Sequence, residues 1–403
     1  MPNPLSAMVF LCVAACAWNH AKAQSYEQAV EAARSADAQF AAQRAGVESR
    51  RSQSRQAATA YYPSGAVYYN QADVTANGRS TRSVSITQPL ISYDRYLTLQ
   101  QADPIAALAE AELAQANTDL ALRVFTAMAE VVRNREQIRA LTLQIGGLEE
   151  QLRRAVRTRE LGQGTVTDVS DFRVRVAAAQ ANCVSLRNAL TAADRNFTLL
   201  TGLHGDIPAM QADVPAWNDP RPLDMLIDDV RASAPQNRTA RMNVALAELA
   251  LKRVKAQYLP QVSAQFARVS TSGVTSSSDT NRIAITLTAP LGFSPWYDNQ
   301  RAAHELQRTQ DTQRFTEDSL ASEVARLDAA IRSSRDEIDI RQQAVEAARL
   351  SVDANVKSYQ GGVKTNIDVV TSYQLLADAE VALVNTRLLS SEAQLRLALL
   401  AAR

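Results

Sequence analysis

Apolar positions follow two periods along the chain, and the switches between them divide it into elements. From Ser25 to Ala60 the pattern is helical, with no proline and no glycine pair, until Tyr61-Tyr62-Pro63 stops it. Proline removes a donor and turns the residue before it out of the helical region. Val67 and Tyr69 then alternate with Tyr68 and Asn70. Ala76-Asn77-Gly78 signals a turn, Ser83-Val84-Ser85-Ile86-Thr87 alternates again, and Gln88-Pro89-Leu90 closes the strand. The helical period returns at Tyr96 and holds to Leu161, with an interruption expected at Pro104. At ~1.5 Å per residue this is a rod of roughly 100 Å. Its apolar seam steps by four and three through Leu120, Val124, Ala127, Val131, Asn134, Ile138, Leu141, Ile145, Leu148 and Leu152. That is the spacing of a coiled coil, and a stripe so narrow needs another helix to cover it.

The order then repeats. Leu223 to Tyr258 reads as helix with a break at Pro235. Leu259-Pro260 matches Tyr62-Pro63, Val262, Ala264 and Phe266 alternate with polar residues, and so do Ile283, Ile285 and Leu287. Ala289-Pro290-Leu291 matches Gln88-Pro89-Leu90. The second long helix has its seam at Leu320, Val324, Leu327, Ile331, Ser334, Ile338, Arg341, Val345, Ala348 and Val352, each the first seam plus 200. Such self-similarity is the mark of a duplicated unit. The expected organisation is therefore a first repeat at 24–202, with two strands in 64–90 and helices at 96–161 and 168–200. A Pro-rich connector at 203–222 follows. The second repeat spans 223–403, with two strands in 261–290 and helices at 299–360 and 368–400. The fold class is mainly α with a small β part, a duplicated helix-strand-strand-helix-helix unit.

The repeats share one motif closely. Gly162-Gln163-Gly164-Thr165-Val166-Thr167-Asp168-Val169 recurs as Gly362-Val363-Lys364-Thr365-Asn366-Ile367-Asp368-Val369, with Gly, Thr, Asp and Val at one shift (362 − 162 = 200). Glycine ends a helix in the left-handed conformation, and Thr or Asp starts the next by capping free N–H groups. Each copy thus predicts a tight turn between antiparallel helices.

Composition narrows the functions. With 43 Lys+Arg against 42 Asp+Glu, the chain has no basic excess of the kind that nucleic-acid binding requires. Leu5 to Ala17 is too short to span a bilayer as a helix, and Ala21-Lys22-Ala23 supplies small residues for signal cleavage, so residues 1–23 read as a secretory signal. A rival box, Val13-Ala14-Ala15-Cys16, would leave a lipidated Cys16. Cys183 is then the remaining cysteine, and His20, His204 and His304 stand far apart. Neither a disulfide framework nor a metal or catalytic constellation can be drawn from these residues, so no cofactor and no enzyme activity are expected. The short strands alternate as a barrel wall between lipid and water does. Two hairpins cannot close a barrel, and open edges cannot sit in lipid, so several copies would have to share one. The other class of function is a structural periplasmic coiled-coil protein without a channel.

These markers together resemble the TolC family of outer-membrane efflux and secretion channels: the signal, the Tyr62-Pro63 and Leu259-Pro260 strand starts, Gln88-Pro89-Leu90, Leu199-Leu200-Thr201-Gly202, and the two Gly-x-x-Thr-x-x-Asp-Val turns. The resemblance covers essentially the whole mature chain. It implies a homotrimer, with four strands per protomer in a twelve-stranded outer-membrane β-barrel continuous with a trimeric α-helical barrel in the periplasm. It also implies a passive conduit of a tripartite efflux pump or type I secretion system. The partners are outer-membrane lipid, a periplasmic adaptor (membrane fusion) protein and an inner-membrane ABC or proton-driven transporter. By the same resemblance Gly162, Thr165, Gly362 and Thr365 match the tip that meets the adaptor. Asp168, Tyr359, Lys364 and Asp368 match the periplasmic gate. Thr371 stands where some members carry a second constricting Asp, so an acidic ring here rests on Asp368.

Overall fold

The computed structural model describes residues 25–71, 80–203, 221–273, 276–289 and 294–401. The expected signal at 1–23, the Asn77-Gly78 turn, Pro290-Leu291 and Pro208, Pro215 and Pro220 of the connector lie outside them. Within them the order is α1 (Tyr26–Ala36), α2 (Ala38–Ala58), β1 (Ser64–Gln71), β2 (Ser80–Ile91), α3 (Tyr93–Gln100), α4 (Ala102–Glu160) and α5 (Val166–Thr201). It continues with α6 (Leu223–Ser233), α7 (Pro235–Ala256), β3 (Gln261–Ser272), β4 (Ser277–Thr288), α8 (Ser294–Gln360) and α9 (Asn366–Ala401). No helix of the described residues is long and apolar enough to cross a membrane. The fold is mainly helical with one four-stranded sheet.

Several helix boundaries differ from the sequence pattern. The first helix breaks at Asp37, which takes an extended conformation. Its carboxylate caps α2, accepting from Phe40 N–H at 2.9 Å and Gln39 N–H at 3.3 Å. The first long helix opens at Tyr93, not Tyr96, under a Ser92 cap. Its interruption falls at Gln101 rather than Pro104. Pro104 sits in the first turn of α4, where a missing N–H costs no helical bond. The second long helix starts at Ser294, ahead of the expected Asn299.

The chain forms two compact units, each assembled from both halves of the sequence. One holds residues 42–71, 80–116, 228–273, 276–289 and 294–321 of the described chain and contains the sheet. Its strands pair antiparallel in the order β1-β2-β3-β4. Residues paired across strands share a face, so the register sorts the side chains. One face carries Val67, Val84, Ile86, Phe266, Ile283, Ile285 and Leu287, all exposed, with Val67 and Ile283 at 81%. The other face carries Thr87, Gln265, Ser85, Ser83 and Thr280. Gln88-Pro89-Leu90 forms a bulge, where the β2–β3 register shifts. Here the Gln88 amide donates to Tyr61 O at 2.9 Å and the Tyr61 hydroxyl to Ser92 O at 2.6 Å, tying the start of β1 to the end of β2. Arg253 bridges to Asp94 at 3.0 Å where α3 packs on α7.

The other unit holds residues 25–41, 117–203, 221–227 and 322–401 of the described chain. The seam residues Leu120, Val124, Val131 and Leu148 of α4 and Val324, Leu327, Ile331 and Val345 of α8 are buried. Facing them, α9 joins α8 through a buried Ser334–Ser390 hydroxyl contact of 2.8 Å and an Arg349–Glu380 ion pair of 2.7 Å. The Tyr26 ring of α1 meets Phe125 edge-on, and its hydroxyl donates to Ala121 O at 3.1 Å.

Candidate functional site: the paired interhelical turns

Both duplicated turns are built twice over from local bonds. Gly162 has φ +74° and Gly362 φ +75°. In the first turn Gly162 N–H donates to Arg159 O at 2.9 Å and Gln163 N–H to Thr158 O at 3.0 Å. In the second, Gly362 N–H reaches Tyr359 O at 3.1 Å and Val363 N–H reaches Ser358 O at 3.0 Å. This nested pair is a Schellman stop, which satisfies the last carbonyls of α4 and α8. A Cβ added at either glycine would meet nothing within 4 Å, so the backbone angle and not space selects glycine. The restart is equally local. Thr165 Oγ1 accepts from Asp168 N–H at 3.1 Å and donates to its carboxylate at 2.7 Å. Thr365 N–H and hydroxyl both donate to Asp368, at 2.9 and 2.8 Å. Gly, Thr and Asp at this spacing are thus a complete helix-stop, helix-start unit.

The two turns also meet. Asn366 Nδ2 donates to Asp168 Oδ1 at 3.1 Å, across 198 residues of sequence. Tyr359 lays its ring edge-on against Phe172, centroids 6.4 Å apart. Phe172 is fully buried among Leu148, Ala155, Val169, Val176 and Val370, a burial worth about 1.5–3 kcal/mol. Burial pushes the Tyr359 phenol above its ordinary pKa, and the Asp168 charge adds to this. Farther along, Gln144 donates to Gln374 at 2.7 Å and joins α4 to α9.

Of the residues expected at the gate, Asp168 and Tyr359 are therefore brought together, with Asn366 and Phe172. Lys364 and Asp368 pair with each other on their own turn, Nζ–Oδ1 3.6 Å, both partly exposed. The Thr365 N–H and hydroxyl hold the Asp368 carboxyl below its ordinary pKa, with Lys364 a smaller contribution. Thr371 lines a groove of about 650 Å³ between α4, α5 and α9, together with Gln144, Arg175 and Asp378. Sequence reading passed over Asn366. Its signal was a polar residue in the second turn where the first has Val166, and the structure buries it to 9% exposure.

The family model described as outer membrane efflux protein matches residues 29–203 and 226–403. The chain belongs to the outer membrane efflux protein family. Among its relatives is the alkaline protease secretion protein AprF of Pseudomonas aeruginosa, 25% identical over 321 residues, 74% of this chain and 64% of AprF. The chain thus aligns with just under two thirds of that relative's length. The proteases secretion protein PrtF of Dickeya chrysanthemi is 25% identical over 335 residues, 75% of this chain and 70% of PrtF. Among solved structures, the outer membrane protein VceC of Vibrio cholerae superposes with a TM-score of 0.74 at 17% identity, over 93% of this chain and 96% of that one. The superposition carries the efflux-protein fold over nearly the whole chain.

Proposed function

We propose that this efflux-family protein is the outer-membrane exit duct of a tripartite efflux pump or type I secretion system, a passive conduit and not an enzyme. The observation that carries the reading is the sheet. It has an exposed apolar face, a mostly polar opposite face, and edge strands β1 and β4 that each have one neighbour among the described residues. Such a sheet cannot rest in water with its apolar side bare nor in lipid with its edges open. Sharing one barrel among three copies of four strands answers both demands. On this reading the signal at 1–23 is removed and the repeats at 24–202 and 223–403 arose by duplication. Gly162, Thr165, Gly362 and Thr365 hold the turns that meet a periplasmic adaptor, which links the duct to an inner-membrane transporter. Asp168, Tyr359, Lys364 and Asp368 belong to the entrance. A periplasmic coiled-coil protein without a channel would leave the apolar face exposed to water, and the family membership does not favour it. Sedimentation in mild detergent is expected to give a trimer that forms conducting pores in planar bilayers. A monomer without conductance overturns the reading.

A further inference from the structure

The apolar face of the sheet does not stay apolar to its end. Its rows run from Val262 and Leu287, next to the helices, toward the hairpin ends at Gln71–Ser80 and Ser272–Ser277. In the second and third rows from the hairpin ends, beneath the Gln71–Ser80–Ser272–Ser277 row, the chemistry changes. Arg268 pairs in register with Val84 and Asn281, and Arg82 pairs with Tyr69 and Ser270, all on the apolar face. The Arg82 guanidinium lies over the Tyr69 ring, 5.6 Å from its centroid. A cation–π contact of this kind takes up none of the guanidinium's hydrogen-bond donors. Arg268 bridges to Asp279 at 3.1 Å, and both are more than half exposed. Among the described residues, two arginines against one aspartate leave an excess positive charge at the margin of an apolar surface.

We propose that Tyr69, Arg82 and Arg268 form a binding site for the phosphate headgroup of an anionic lipid, whose acyl chains cover Val84, Ile86, Phe266 and Ile283. The inference rests on the sheet facing lipid, as argued above. An arginine directed at lipid is tolerated near the interface and not at the bilayer centre, so these two mark the height of the headgroups. A guanidinium fork matches a phosphate in shape and charge. The rows beneath present the apolar wall that the chains of the same lipid require. A neutral headgroup would leave the excess charge without a counterpart. The opposite face carries Arg282 one residue along from Asn281, a cation of the same kind at nearly the same height but on the polar side.

The test is native mass spectrometry of the full chain, stripped of lipid in mild detergent and titrated with phosphatidylglycerol or with phosphatidylcholine of the same acyl chains. Wild-type protein is expected to retain phosphatidylglycerol preferentially. The preference should fall about fivefold for each arginine removed, as in Arg82→Gln and Arg268→Gln. Arg82→Lys with Arg268→Lys keeps the charge and most of the preference, and Arg282→Gln leaves it unchanged. Circular dichroism checks that the variants fold. An unchanged preference in the double glutamine variant, or an equal loss in Arg282→Gln, overturns the site. Protein that floats with vesicles yet shows no preference refutes this inference and spares the duct. Protein that neither floats nor retains either lipid refutes the lipid-facing sheet itself.

Discussion

Gly146 and Gly147 are neighbours in the middle of α4, and alanine at the two should act in opposite directions. Each substitution removes a glycine from a helix interior, which by itself favours folding by about 1 kcal/mol. A Cβ on Gly146 would meet nothing within 4 Å, so Gly146→Ala should keep that whole gain. A Cβ on Gly147 would stand only 2.3 Å from Cε1 and Cζ of the Tyr373 ring of α9 and 2.7 Å from its hydroxyl oxygen. Inserting a methyl into such a contact costs about 1–3 kcal/mol. The net effect of Gly147→Ala is then a loss of up to about 2 kcal/mol, and the two variants should differ by about 1–3 kcal/mol. Guanidinium unfolding of the detergent-solubilised protein, followed by helical circular dichroism, measures the difference directly. In a Tyr373→Ala background the ring is gone, and Gly147→Ala should become as favourable as Gly146→Ala. Equal gains for both variants beside an intact Tyr373 would refute the close approach of α4 and α9.

Three further outcomes follow from the turns and from the Asp37 break. Asn366→Ala should raise single-channel conductance of an intact trimer more than Asp368→Ala does, because Asn366 bonds across the two turns whereas Asp368 bonds within its own; planar-bilayer recordings compare them. Gly362→Ala should cost about 1–2 kcal/mol by forcing a side chain into the left-handed region, while Gly362→Asn costs less, as read by denaturant midpoints. Burial alone would raise the Asp37 pKa, but the Arg123 hydrogen bond and charge and two backbone N–H groups outweigh it and hold the carboxyl below its ordinary value. Because the folded value is depressed, this stability is present above the ordinary pKa of about 3.9 and is lost as pH falls through the folded value. Asp37→Asn should therefore remove about 2 kcal/mol at pH 7 and flatten the acid limb of the stability profile.

Periodicity and duplication made much of this legible before any coordinates. Val67, Ile86, Phe266 and Ile283 alternate because one sheet face is apolar, and the register puts them there. Gly162 and Gly362 announce their turns because few other residues adopt positive φ at low cost. What stayed hidden depends on residues distant in sequence. The break at Asp37 is supported by Arg123, 86 residues away, and no local pattern carries that information. Pro104 looked like the interruption of α4, yet a first-turn proline is harmless, and the chain interrupts at Gln101 instead. Asn366 is unremarkable as a helix-starting residue. Its role emerges from the carboxylate of Asp168 in the other repeat.

The two turns share a backbone, and their side chains divide the labour between them. Each turn's Schellman bonds and Thr–Asp bonds lie within its own few residues, so a shift of one helical hairpin past the other leaves them intact. The contacts that such a shift breaks at the turns include the Asn366–Asp168 hydrogen bond and the Tyr359–Phe172 ring contact, and farther along the Gln144–Gln374 bond. The first turn supplies the acceptor and the buried ring; the second supplies the donor and the phenol. At the matching positions of the other copy stand Val166, Arg159 and Ser372, none of which can make the reciprocal bond. The two turns thus share their local stops and caps, and differences at a few positions supply the contacts between them. A link that is separate from the elements it joins can open without unfolding either, which is what a change between two packed states requires.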